Sequence, residues 1–145
     1  MQIINTNNFS EFIKIVRSSQ NQKPIIIQAQ NEEFNRKAVE YGKFDIILSL
    51  EKSAGKNKIR QTDSGLNHVL ARISAKNKIA IGISIKEINS LDKKEKAERL
   101  VKISQNIKIC RKAKAKIAFQ KSNENKSLLL TLGASTQQIK EAIPL

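Results

Sequence analysis

The side chains best suited to chemistry are scarce in this chain, which has one histidine, His68, and one cysteine, Cys110. A nucleophilic triad would have to use His68 with Ser64 or a distant serine. His68 lies in a stretch where Leu66, Val69, Leu70 and Ile73 recur at helical spacing. On such a helix it points away from the apolar stripe, beside Arg72. That placement suits a surface hydrogen bond or a contact with a partner or RNA rather than a catalytic base. Cys110 falls on the apolar stripe of a later helix and reads as a small core residue. Asp45 precedes a strand and Asp63 precedes a helix as its cap. Neither has a partnered carboxylate, so paired acid–base chemistry finds no support. Gly55-Lys56 lacks the upstream glycine and downstream Ser or Thr of a phosphate loop. One His and one Cys leave almost no ligands for a transition metal. No catalytic residue, metal or cofactor is expected.

Basic residues are abundant. Lys and Arg number 27 against 13 Asp and Glu, a net charge of +14. Two clusters stand out, Lys52, Lys56, Lys58 and Arg60 in one loop, and Arg111, Lys112, Lys114, Lys116 and Lys121 around the end of the long helix. Each has at most one acidic neighbour. Helix C-termini favour cations in any case, and a composition biased toward A and T codons would inflate Lys, Ile and Asn. Even so, such a field on a small domain most often serves nucleic acid through its phosphates, and phosphate contact is the expectation for both clusters. Single-strand binders stack bases on aromatic residues. Here Phe9, Phe12, Phe34, Phe44 and Phe119 all fall at core positions. The backbone of a folded RNA is therefore the expected contact, with His68 and Arg72 added to the two clusters. No basic amphipathic helix with bulky apolar anchors points to a membrane surface.

These residues are carried on alternating strands and helices. Ile3-Ile4 reads as a weak first strand. Asn8 caps a helix, with Glu11 as its capping-box partner. Ile25 to Ile27 is a β-branched run suited to a buried strand. Asn31 caps a helix bearing Phe34, Ala38 and Tyr41, which Gly42 ends. Asp45 to Leu48 is a third strand, followed by a loop from Glu51 to Thr62. Asp63 and Ser64 cap the next helix. Ile79 to Ile83 is a fourth strand. Asp92 caps a long helix with Glu95, and its stripe is Ala97, Leu100, Ile103, Ile107 and Cys110, with Ile109 on the opposite side. Lys116 to Gln120 is a fifth strand. Two short helices close the chain, one carrying Leu128, Leu129 and Leu132, the other capped by Ser135 and running through Ile139 and Ile143 to Pro144.

Strand then helix, five times over, requires crossover connections and a mainly parallel sheet. The chain has 145 residues, whereas an eight-unit barrel usually needs ~200 or more. The expected fold is α/β, a reduced or partial (β/α) barrel of about five units in a single domain spanning 1–145. Hydrophobic residues, 39% of the chain and led by 22 Ile, suffice for a core. No apolar run approaches ~18 residues, and the start MQIINTNNFSEF lacks the form of a secretory signal, so a cytoplasmic protein is expected.

The stretch Asp63-Ser64-Gly65-Leu66-Asn67-His68-Val69-Leu70-Ala71-Arg72, followed by Lys76-Asn77-Lys78-Ile79-Ala80-Ile81-Gly82-Ile83-Ser84, resembles the thirty-kilodalton protein subunit family of ribonuclease P, protein component three in archaea. Phe44 to Ser49, Ile107 to Lys112, and Leu128 to Ala142 resemble further family segments in the same order, so the likeness runs from about Pro24 to Ile143. The resemblance implies a (βα)8-type barrel related to metal-dependent phosphoesterases, with the usual N-terminal units missing or reduced to Met1 to Gln22. The metal-binding histidines of that wider superfamily are not matched here. It also implies a function: support of the ribonuclease P RNA, together with protein component two, in RNA-catalysed removal of the 5′ leader from precursor tRNA. The alternatives are a ribosomal or other structural RNA-binding protein, and a phosphoesterase-like hydrolase.

Overall fold

The structure, a computed structural model, describes residues 2–52 and 62–145. Six parallel strands follow one another in chain order across one sheet: β1 (Ile3–Ile4), β2 (Ile26–Gln28), β3 (Ile46–Leu48), β4 (Ala80–Gly82), β5 (Ile117–Phe119) and β6 (Ile143–Pro144). The sheet curls into half a barrel, and β1 and β6 form its two edges. Helices α1 (Phe9–Ser18), α2 (Glu32–Tyr41), α3 (His68–Lys76), α4 (Ile85–Asn89), α5 (Lys93–Ala113), α6 (Asn123–Thr131) and α7 (Thr136–Glu141) fill the crossovers. This is the partial (β/α) barrel expected from the alternation. Residues 2–22 supply a complete strand–helix unit, with β1 paired to β2.

Strand side chains alternate between two faces. Ile25, Ile27, Ile47, Ile79, Ile81, Ile117 and Phe119 point to the helices and join the main core. Ile26, Ile46, Leu48, Ala80 and Ala118 make a second apolar layer on the concave face, against which Ile143 and Leu145 pack. Small residues on β4 and β5 let the curl tighten. A Cβ on Gly82 would stand 2.9 Å from Ile46 Cγ2 and 3.0 Å from Leu48 Cδ1, so side chains from β3 close over β4 where a lumen would otherwise open. The aromatic residues are used inside. Phe12 meets Phe34, Tyr41 and Phe44 edge-on at 5.6 to 6.0 Å between centroids, and Phe9 stacks on Phe12 at 5.5 Å.

Several local expectations are corrected. The chain ends in a strand rather than a helical turn. Ile143 pairs with Ala118, and Leu145 N donates to Phe119 O at 3.1 Å. Proline fits there because β6 is an edge and its missing N–H deprives no neighbour. Helix α3 begins at His68, not after Asp63. Asn67 is its cap, accepting from Leu70 N at 2.8 Å, whereas Asp63 accepts from Gly65 N at 3.0 Å in the turn before it. The buried side of α3 is accordingly Leu70, Ala71 and Ser74, and Val69 is 56% exposed. On α5, Ile109 is buried and Ala97 is exposed. The second half of α5 is flanked by α3 on one side and by the α6–α7 connection on the other. Ser104 Oγ donates to Leu132 O at 2.7 Å and Gln138 Nε2 donates to Ile107 O at 3.0 Å. Flanked on both sides, this stretch buries a wider arc than one stripe, while its first turns are open to solvent.

The remaining caps lie where the residue types placed them. Asn8 accepts from Ser10 and Glu11 amides, Asn31 from Phe34 N, and Asp92 from Glu95 N. Ser135 and Gln138 form a full capping box. At α1 the reciprocal half is relayed: Thr6 Oγ1 accepts from Asn8 N and donates to Glu11 Oε2.

Candidate nucleic-acid interface

Parallel topology sorts the basic residues by end. Turns that follow strands lie at one end of the half-barrel, and turns that precede strands lie at the other.

At the end that follows the strands, the first basic loop begins. Lys52 is exposed, but its Nζ lies 2.7 Å from Glu87 Oε1. Beneath it Glu51 is buried and takes Arg99 Nη2 at 3.2 Å, and the same nitrogen is 3.9 Å from Glu87 Oε2. Burial pushes the Glu51 carboxyl above the usual carboxylate range, with Arg99 opposing the shift. Lys52 is thus the outer member of an ion-pair chain that ties the root of the loop to α4 and α5. Lys56, Lys58 and Arg60 lie outside the described residues.

His68 is exposed at the head of α3, and Arg72 lies one turn further along on the same face, also exposed. Helix α5 holds the segment that delivers them. Gln105 Nε2 donates to Thr62 O at 3.1 Å, and Asn106 Nδ2 to Ser64 O at 3.1 Å. His68 borders a groove of about 680 Å³ whose other lining includes Asn31, Arg36, Asp63, Asn67 and Ile109. The groove mixes acid and base with amides, so it is a polar recess rather than a concentrated cationic pocket. Cys110 is fully buried, and burial raises its thiol to about 12. It is a core residue with no free thiolate at neutral pH.

The second basic cluster, continuous along the chain, is divided in space. Lys116 precedes β5 and Lys121 follows it, so the length of the strand separates them, ~10 Å for three residues. Lys121 belongs with the loop end, while Lys112, Lys114 and Lys116 belong with the opposite end, all exposed. Arg111 is engaged with the protein, its Nη1 donating to Gly133 O at 3.2 Å. Residues overlooked in the linear reading join Lys112, Lys114 and Lys116 there. Lys23, Lys43, Lys76 and Lys78 are exposed in or beside other turns that precede strands. Clustering along the chain hid them. The signal available was the position of each just before a predicted parallel strand. Among the described residues, no three of His, Cys, Asp and Glu come together as metal ligands.

Fold and surface together define a class: a partial (β/α) barrel with exposed basic residues at both ends of its sheet. Within that class, the chain is a relative of ribonuclease P protein component 3. It is 30% identical over 102 residues to that protein from Methanocaldococcus jannaschii and 27% identical over 108 residues to that from Methanococcus vannielii. The matches cover 70% and 74% of this chain but 41% and 44% of those proteins, so the chain spans less than half the length of these curated relatives. One chain of a cryo-EM structure of archaeal ribonuclease P with mature tRNA has the same fold, with a TM-score of 0.78 and 25% identity over 96% of this chain and 63% of that one. No family model matches the chain.

Proposed function

We propose that this chain is a protein subunit of ribonuclease P. In this role it binds and stabilises the ribonuclease P RNA, together with protein component two, while the RNA removes the 5′ leader from precursor tRNA. The observation that carries this reading is the shared fold with a chain of the archaeal ribonuclease P structure over nearly all of the present chain. The surface agrees with it. Exposed lysines lie at both ends of the sheet, and aromatic side chains are packed inside, so backbone phosphates rather than splayed bases are the natural contact. The phosphoesterase-like alternative needs clustered histidine ligands, and the one histidine stands exposed at a helix start. A ribosomal or other RNA-scaffold role explains the charge but not the likeness to component 3. We place this subunit in the cytoplasm as one domain. No helix among the described residues is long and apolar enough to cross a membrane.

Reconstitution tests the reading. The chain, the cognate ribonuclease P RNA and protein component two are combined, and precursor-tRNA cleavage is followed at limiting Mg²⁺. Cleavage that rises only when this chain is added is the expected outcome. Tight RNA binding with no effect on cleavage transfers the chain to a different RNA scaffold.

A further inference from the structure

Three turns that precede strands each hold a lysine in the left-handed backbone region: Lys43 at φ 62°, Lys78 at φ 57° and Lys114 at φ 60°. They precede β3, β4 and β5, which are neighbours in the sheet. Ile81 pairs with Ile117, so Lys78 and Lys114, each three residues earlier, stand side by side. Ile46 pairs with Ala80, which puts Lys43 on the next strand and one residue further out. Strands lie ~4.8 Å apart, so the three backbones form a row about 10 Å long at one end of the half-barrel.

Left-handed backbone disfavours any residue with a Cβ, and a helix end of this kind normally takes glycine. Lys78 and Lys114 both occupy that glycine position. Ile79 N donates to Ser74 O at 2.8 Å, and Ala115 N donates to Cys110 O at 3.0 Å, closing the two helix ends. Helix α6 shows the usual solution. Ala134 N donates to Leu129 O at 2.9 Å, and the left-handed residue is Gly133. Attraction to the helix dipole does not require lysine here, because a cation in the last helical turn gains it without the strained backbone, as Lys76 and Lys112 do.

Packing does not require Lys78 or Lys114, and at Lys43 it uses only a cation over the Tyr41 ring. Lys78 and Lys114 are exposed and make no side-chain hydrogen bond or ion pair among the described residues, and Lys43 lies 5.6 Å from the Tyr41 ring. The nearby acids are engaged. Asp45 accepts from Ile25 N and lies 3.9 Å from Lys23, and Glu40 pairs with Arg36.

Resting on the RNA-support reading above, we propose that Lys43, Lys78 and Lys114 form a docking edge for the phosphate backbone of RNA. A DNA duplex carries one charge per ~1.7 Å of its axis and the more compact RNA duplex is charged at least as densely, so a row of this length meets more than one phosphate at once. The left-handed backbone fixes where each side chain leaves the turn, and the ammonium groups take the phosphates as point charges. RNA suits the edge better than a protein does. Protein interfaces depend on buried apolar or aromatic anchors, and the exposed large apolar residues Ile3, Val69, Val101 and Leu130 lie in none of these turns.

The test uses the whole chain and in-vitro-transcribed ribonuclease P RNA, with affinity measured from 50 to 200 mM salt. The combined variant Lys43→Gly, Lys78→Gly, Lys114→Gly removes three charges where glycine suits the backbone, so its circular dichroism and thermal midpoint should match or exceed those of the parent. Its affinity should fall roughly tenfold or more, and its log–log salt slope should shrink by about two to three. Arginine at the three positions should restore both. Removing three exposed lysines from the opposite end, with Lys86→Ala, Lys93→Ala and Lys94→Ala, should cost clearly less. If the glycine variant loses its fold, glutamine at the same positions keeps the parent backbone and should give the same loss of affinity.

Unchanged affinity and slope in a folded variant overturns the docking edge and leaves the ribonuclease P reading intact. Equal loss in the control overturns it in favour of net charge. Lost capture of protein component two with unaltered RNA binding makes the edge a protein contact. A parent chain that binds neither this RNA nor a plain RNA duplex at 50 mM salt overturns the RNA-support reading and this inference with it.

Discussion

Glu51 and Arg99 show how single residues hold the loop end together. Glu51 is buried, and Arg99 reaches it at 3.2 Å while leaning toward Glu87, which also holds Lys52. Burial raises the Glu51 carboxyl in spite of its partner, so desolvation exceeds the attraction between them. Such a pair adds little net stability, but removing Arg99 leaves the buried Glu51 charge alone. Arg99→Leu, which strands Glu51, should cost about 3 to 5 kcal/mol in denaturant unfolding. Glu51→Leu should cost less, because Arg99 keeps Glu87, and the double variant should cost less than the two singles summed. Additive losses would show that the two side chains act independently. The sequence placed Lys52 in a basic loop but could not reveal that it is ion-paired, because its partner Glu87 lies 35 positions away across a strand and a helix. His68 and Arg72 were legible as exposed, since both lie off the apolar side wherever α3 starts.

Among the elements, the sequence carried α7 past its end at Glu141, and it misplaced the start of α3. Asp63, Ser64 and Asn67 can all cap a helix, and local spacing does not choose between them. The decision came from α5, whose Gln105 and Asn106 take the carbonyls of Thr62 and Ser64 and hold that stretch out of helical geometry. Asn67→Ala should therefore lower stability by about 1 kcal/mol. Asp63→Asn, which keeps the acceptor for Gly65 N, should stay within ~0.5 kcal/mol. Thermal unfolding of the two variants reads the difference directly, and the reverse order would restore Asp63 as the cap. Strand β6 was missed for another reason. Two residues are too few to carry a period, and proline reads as a terminator until the segment is seen at a sheet edge.

Over the whole molecule, one continuous apolar core runs beneath the helices from Ile4 to Ala142, while the concave face packs on itself. Every strand–helix unit contributes to that core. We expect the chain to unfold as one unit, with far-ultraviolet circular dichroism and Tyr41 fluorescence giving coincident denaturant transitions. Separated transitions would divide the chain into two domains. The parallel sheet also sets the distribution of charge. It gathers one class of turn at each end, so lysines far apart in sequence become neighbours, and a cluster continuous in sequence is split between the two ends.

The amino-acid sequence by itself determined the alternation of strands and helices, the β-branched strands, most of the helix caps, the aromatic core and the basic surface. All of these rest on local spacing and residue type, which act within a few positions along the chain. Tertiary structure alone decided where α3 begins, that Ile109 is buried, that the final residues form a strand, that Lys52 is ion-paired, and which lysines share an end of the sheet. Each of those depends on contacts between residues distant in sequence, made when the parallel strands set elements side by side.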